Sequence, residues 1–309
     1  MAGSHDFYIN QALTAFALKI TNKDFIADKI FTPVPVEKDT VILKVFGDDH
    51  LIDESDDLRG PGAAARIDDF NLGTDVTLVL QEHSRVIKVP EEYEQNQTEP
   101  MRARLAATET LVERLMTRQE RAMVTLLTST GTYASSSFYT TPGTLWSVDT
   151  SNLIGDIQTG KQQIASSIGR EPNIFWCGRA VWTQICQHPQ VREVAKYHGV
   201  GEPAQQMVAA LFGVDEVIIG RAIYNTAKRK ATSVITSAWG KHAGLIYRNP
   251  TMSLYDMTFG IRVQKAGLTR VIDESWDDET VSTKVRIRDK YQLKVVGNKA
   301  GYWFDTPVA

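Results

Sequence analysis

The chain has 309 residues, 42% hydrophobic and 23% charged, enough apolar content for a core and enough length that more than one domain is the default. A net charge of -3 gives no global positive field and argues against a protein that wraps nucleic acid with its whole surface. Two cysteines exclude a disulfide framework and suit reducing surroundings. The opening MAGSHDFYINQALTAFALKI lacks the pattern of a signal peptide, and no apolar run approaches the roughly 18 residues that span a bilayer. Synthesis and use in the cytoplasm, away from a membrane, is the expectation.

Residues 8 to 20 set Ile9, Leu13, Phe16, Ala17 and Ile20 at helical spacing, and TNKDFIADKIFTPVPV then extends through Pro33 and Pro35, so a short amphipathic helix on an extended arm is predicted. From Val41 to about Tyr93 the chain reads as strands around a turn-rich middle. Val76, Leu78 and Leu80 alternate with polar neighbours, as on a half-buried strand. The middle carries Asp48, Asp49, Asp53, Glu54, Asp56, Asp57, Asp68 and Asp69 against His50, Arg59 and Arg66. Such a run is either a solvated loop or a loop that meets a partner.

Residues 98 to 129 form the clearest element. Thr98 and Glu99 can cap a helix, Pro100 suits its first turn, and Leu105, Thr108, Val112, Leu115, Gln119, Ala122 and Leu126 step by three and four. At 1.5 Å per residue this is a rod of roughly 45 Å, with Arg102, Arg104, Arg114, Arg118 and Arg121 on its polar faces. The Ser/Thr/Gly-rich TGTYASSSFYTTPGTLWSVD reads as a loop.

From about Ser151 helices and strands alternate: a helix to Ile168 stopped by Gly169, the strand NIFWC, the helix GRAVWTQICQH, a helix from Pro203 through Phe212, and the strand EVIIG. Beyond Tyr224, TSVITSAW, GLIYR, GIRVQ, TRVIDESW, TVSTKVRIR and YQLKVVG read as strands. The alternating part reads as an α/β or α+β domain with its own core, and the fold class taken for the whole chain is α+β.

Both cysteines and one histidine gather in PNIFWCGRAVWTQICQHP. The spacing C-x8-C-x-H lacks a close cysteine pair and has no evident fourth ligand. Cys177 closes an apolar strand, and Cys186 shares the apolar face of a helix with Val181, Trp182 and Ile185, so core packing is the reading. His188, before Pro189, reads as a helix end. No G-x-G-x-x-G, P-loop, H-E-x-x-H or G-x-S-x-G occurs, so no catalytic residue, cofactor or metal is expected. Arg221, Lys228, Arg229, Lys230, Lys241 and Arg248 occur without an acidic residue between 221 and 250. That stretch is a solvated surface or a contact for an anionic partner.

The order of these parts resembles the major capsid protein of tailed bacteriophages, with its Hong Kong 97-type fold. FIADKIFTPVPVEKDT is similar to that family's arm, LRGPGAAAR to its extended loop, ATETLVERLMTRQERA to its spine helix, and PNIFWCGRAVWTQICQHPQV and MVAALFGVDEVIIGRA to its axial domain. The resemblance implies an N-terminal arm at 1–40, an extended β loop at 41–93, a peripheral domain with the long spine helix at 94–150, an axial domain at 151–264, peripheral strands at 265–290 and a return to the axial domain at 291–309.

It further implies self-assembly into hexamers and pentamers that form an icosahedral shell around double-stranded DNA, in a virion assembled in the host cytoplasm. Arm and extended loop would lie over neighbouring subunits. Asp53, Glu54, Asp56, Asp57 and Arg59 would meet an adjacent subunit, with Arg102, Arg104, Arg114, Arg118 and Arg121 as candidate partners, and Lys228, Arg229 and Lys230 would face DNA. A portal protein and a decoration protein are implied partners. Nothing ahead of the spine helix resembles a helical scaffolding region, so a separate scaffolding protein is expected. No motif marks a lysine–asparagine crosslink among Lys44, Lys88 and Asn298, and none is expected. Two readings compete: an encapsulin-like nanocompartment of the same fold, and a cytoplasmic α/β enzyme with a ligand pocket.

Overall fold

A computed structural model describes residues 7–20, 24–45, 58–62, 64, 74–96, 101–197, 203–227, 231–249 and 257–309. The described residues open with a two-residue strand, β1 (Tyr8–Ile9), and helix α1 (Gln11–Lys19), whose N-terminus is capped by Asn10 accepting from the Leu13 amide at 3.0 Å. Ile9, expected on the helix, pairs instead with Asp273, because the cap forces the backbone at Asn10 to be extended. The short α2 (Ala27–Ile30) and the strand β2 (Pro33–Val36) follow. Ile26, Ala27, Ile30 and Phe31 are buried in this subunit's own core, so this part of the expected arm is built into its own chain.

β3 (Thr40–Val45) and β4 (Thr74–Val79) form an antiparallel ribbon from the pairing Thr40↔Val79 to Val45↔Thr74. β5 (Gln81–Pro90), expected in the extended loop, instead pairs along the later strand Ser282–Val295 from Gln81↔Tyr291 to Pro90↔Ser282. A small helix, α3 (Glu91–Gln95), precedes the spine helix α4 (Met101–Leu127), with the expected caps Thr98, Glu99 and Pro100 outside the described residues. The stripe that α4 buries is not quite the expected one. Ala107, Leu111, Met116, Glu120, Met123 and Leu127 are buried with Thr108, Val112, Leu115 and Gln119, whereas Ala122 is exposed. The helix serves two cores in succession, and its inward face turns between them.

The stretch read as a loop after α4 is interior. Tyr133, Phe138 and Trp146 are buried, and β6 (Tyr139–Thr140) pairs with the C-terminal strand. Then come α5 (Leu153–Ile168), β7 (Ile174–Gly178), α6 (Arg179–Gln187), α7 (Pro189–Tyr197), α8 (Gln205–Phe212) and β8 (Glu216–Gly220). α5 stops at Gly169, which adopts φ 67°, a left-handed C-cap open to glycine. α7 was not foreseen: Pro189 begins it rather than breaking structure, since a first-turn proline gives up an amide that has no helical partner. A second ribbon joins β9 (Ile223–Asn225) to β10 (Ile235–Ser237). β11 (Ala243–Ile246), β12 (Gly260–Lys265), β13 (Val271–Asp277), β14 (Ser282–Val295) and β15 (Gly301–Phe304) complete the chain.

Two sheets result. One has the order β6-β15-β11-β7-β8; the other runs β1-β13-β14-β12-β2, with β5 also on β14. TVSTKVRIR and YQLKVVG, expected as two strands, are the single 14-residue β14, so the boundary expected between residues 290 and 291 falls inside a strand. β12, assigned to the axial domain by the resemblance, lies in the second sheet between β14 and β2. Spine helix residues Ala107 to Met116 pack on that sheet, while Met123 and Leu127 join the core of the five-stranded lobe. A third core at the root of the β3–β4 ribbon holds Val34, Val36, Leu43, Leu78, Leu80, Ile261, Val263 and Val296.

Candidate functional site

The cysteine- and histidine-bearing stretch is structural in its geometry. β7 is buried at every position between β8 and β11, and burial pushes the Cys177 thiol far above its ordinary range, which removes its nucleophilic form. Cys186 is part-buried on α6. Among the described residues no three His, Cys, Asp or Glu side chains are arranged to hold a metal.

His188 meets Ser151 across the fold, Nε2 to Oγ at 2.9 Å, and its Nδ1 accepts the Gln190 amide at 3.3 Å. An acceptor at Nδ1 places the ring proton on Nε2, pointing at Ser151. That tautomer cannot take the serine proton, and burial pushes the ring below its usual range. The pair fastens the α6–α7 corner to Ser151, two residues ahead of α5.

The five spine-helix arginines differ in their engagements. Arg104 is held by Glu94 through Nε to Oε1 at 2.7 Å and its second nitrogen to Oε2 at 2.8 Å, with Glu274 3.6 Å away. Arg121 lies over the Tyr224 ring at 4.2 Å. Arg102, Arg114 and Arg118 are exposed. Asp53, Glu54, Asp56 and Asp57 lie outside the described residues, as do Lys228, Arg229 and Lys230; Arg59 is exposed. Of the remaining basic stretch, Arg248 pairs with Glu216 at 3.7 Å and Lys241 is exposed. A cleft of about 660 Å³ beside α4 brings Asp24 and Glu113 together with Arg179 and Arg221, a mixed-sign lining.

A belt of buried polar groups lies where the two lobes meet, and no sequence signal marked it. Glu120 Oε1 accepts the Ile26 and Ala27 amides, each at 2.6 Å, and Oε2 accepts the Trp239 indole N–H at 2.7 Å. The adjacent Gln119 donates to Asp28 at 2.6 Å. Asp28 also holds Arg262 at 2.5 Å, and Arg262 reaches the fully buried Asp289 at 3.1 Å while lying 4.7 Å over the Tyr291 ring. Burial pushes the Glu120 carboxyl up to about 7 and the Asp289 carboxyl up to about 6. Asp273, paired with Arg286 and Arg288, ties β13 to β14.

The exposed surface also bears apolar residues at specific places. On the β3–β4 ribbon, Leu43 and Leu78 face the root core while Ile42 and Val79, each 60% exposed, share the opposite face.

No protein-family model matches the chain. It is 26% identical over 304 residues to the major capsid protein of Burkholderia phage BcepMu, covering 95% of each chain. It is 25% identical over 313 residues to the major capsid protein of Pseudomonas phage JBD67, covering 98% of each. A crystal structure of a phage-related protein from Bordetella bronchiseptica superposes with a TM-score of 0.80 at 22% identity, covering 98% of both chains. The capsid of cyanophage P-SCSP1u matches with a TM-score of 0.54 at 8% identity, over 89% of this chain and 86% of that one. The structural likenesses carry the fold, and the sequence likenesses extend from end to end.

Proposed function

We infer that this chain, a phage major capsid protein with the Hong Kong 97-type fold, assembles into hexamers and pentamers that close an icosahedral shell around double-stranded DNA. The observation that carries this reading is the near full-length correspondence with two phage major capsid proteins. We assign the five-stranded lobe to the capsomer axis and the six-stranded lobe with most of α4 to its periphery. The virion is then its site of action and the host cytoplasm its site of assembly, with separate scaffolding, portal and decoration proteins as partners.

The surfaces suit such an assembly. An isolated two-stranded ribbon is at best marginal in water, and among the described residues only one face of the β3–β4 ribbon is packed by its own chain. A neighbouring copy covers Ile42 and Val79 in this reading. The acidic run at Asp53, Glu54, Asp56 and Asp57 meets the exposed Arg102, Arg114 and Arg118 of the adjacent subunit. Arg104 and Arg121 drop from the first rank because Glu94 and Tyr224 already engage them. Exposed pairs contribute at most about 1 kcal/mol each, so they set register and partner choice more than affinity. Lys228, Arg229 and Lys230 face the packaged DNA.

Negative-stain microscopy of the expressed protein tests the central claim: uniform shells or capsomer rings are expected, and small discrete particles would overturn it. Shells that enclose protein and no DNA when produced during phage growth would transfer the chain to the nanocompartment reading. Reversing Asp56 and Asp57 to arginine should stop shell closure while the subunit stays folded; normal shells from that variant would remove the proposed loop contact. Neutralising Lys228, Arg229 and Lys230 should lower DNA content without stopping assembly, and unchanged packaging would refute their role.

A further inference from the structure

Glu120 is 1% exposed and lies between the two cores that share α4. Its three hydrogen-bond donors come from segments about a hundred residues away on either side in sequence: the start of α2 and the Trp239 indole. Among the described residues no lysine or arginine forms an ion pair with it. We propose that Glu120 is a proton-operated latch: the carboxylate grips the Trp239 indole, and the neutral acid weakens that grip while keeping hold of α2.

The selectivity follows from the oxygens. Oε1 already accepts two amides, so its acceptor capacity is full and an added proton goes to Oε2. A proton there takes one lone pair of Oε2 and leaves a neutral, weaker acceptor, so the Trp239 bond weakens while the two amide bonds on Oε1 remain. Burial raises the proton affinity of this carboxyl to about 7, and the like charge of Asp28 on α2 acts in the same direction. The other charged groups of the surrounding elements are engaged or directed elsewhere. Arg121 covers Tyr224, Arg118 acts on His83, His242 faces Asp305 at 3.2 Å, and Lys29 and Lys241 are exposed.

A weaker grip on Trp239 has a defined consequence. The indole fills the space over Gly220, where an added Cβ would lie 2.2 Å from the ring, and it packs on Trp176 at 5.6 Å. The neighbouring Ala238 amide donates to Ala222 at 2.8 Å, which closes the root of the β9–β10 ribbon. Loosening the indole therefore loosens the seat of that ribbon. The latch belongs to the single subunit and does not rest on the shell reading.

Amide hydrogen exchange of the full-length chain, followed by mass spectrometry between about pH 6 and pH 8 and corrected for intrinsic rates, tests the latch across the range where the carboxyl titrates. Peptides covering 221–242 should lose protection several-fold on acidification, while peptides covering 24–31 stay constant. E120Q keeps an oxygen for the α2 amides and sets its NH2 against the indole, so it should show the acid-form pattern at every pH. W239F should also be insensitive to pH at 221–242. A flat wild-type profile, which needs no variant, overturns the latch, and so does a parallel loss at 24–31. Either variant retaining the wild-type pH response refutes it as well.

Discussion

The five-stranded lobe buries Trp146, Trp176, Trp239, Phe175, Phe212 and Phe304, whereas the six-stranded lobe buries Arg262, Asp273, Glu274 and Asp289 beside its aliphatic side chains. The first lobe's interior strand β7 is apolar at every position before its terminal glycine and covered on both faces, the pattern of a strand in a parallel pair under helices. β14 instead alternates, and its arginines meet Asp273 on the adjacent β13, with Arg286 directly opposite it. Cross-strand charges of this kind fix register, because a one-residue slip would put every pair on the wrong face. Packing density carries stability in one lobe. Charge partnership carries uniqueness of pairing in the other.

Substitutions can break each half of that contrast. Phe175→Ala removes a fully buried ring that meets Phe212 edge-on at 5.2 Å and should cost about 4 kcal/mol in denaturant unfolding of the isolated subunit, by an amount independent of pH. Arg262→Met should cost about 3 kcal/mol at neutral pH, because Asp289 loses its cation and must either bury a charge alone or take up a proton. That second deficit should shrink in acid. Burial already holds Asp289 above its ordinary value, at about 6, so the stability linked to its proton is present below about 4 and lost as pH rises through about 6. Removing the cation pushes that value higher still, so acidification recovers more. A pH-flat Arg262→Met deficit, or a pH-dependent Phe175→Ala deficit, would erase the distinction between the lobes.

Smaller effects sharpen it. Cys177→Ala leaves a small void in β7 and should cost about 1 kcal/mol, with assembly unchanged by microscopy. Cys186→Ser, on the part-exposed side of α6, should stay within about 0.5 kcal/mol. Loss of shells without loss of subunit stability in either variant would give the cysteines a role beyond packing.

Much of this architecture is legible because it rests on local periodicity. The spine helix, α5 with its glycine stop, and β7, α6, α8 and β8 follow from spacing and caps within a few residues of each site. The failures share a cause. β5 reads like the ribbon strand before it, since alternation marks a strand but not its partner. β14 was divided because its charged middle, RIRDKY, resembles a turn until Arg262 and Asp273 are placed beside it. Glu120 sat among polar residues of α4, where a glutamate ordinarily faces water, and only donors from Ile26, Ala27 and Trp239 make its burial tolerable.

The sequence by itself determined the α+β character, the long helix, the order of the segments and, through that order, the likeness to phage capsid proteins. Only the tertiary structure decided which charges lie inside, which arginines of α4 are already engaged and which face of the β3–β4 ribbon packs on the described core. The physical reason is range: helical and strand periods act over a few residues, whereas the cost of burying a charge depends on groups such as Asp28 and Asp289, on either side of Arg262 in space and far from each other along the chain.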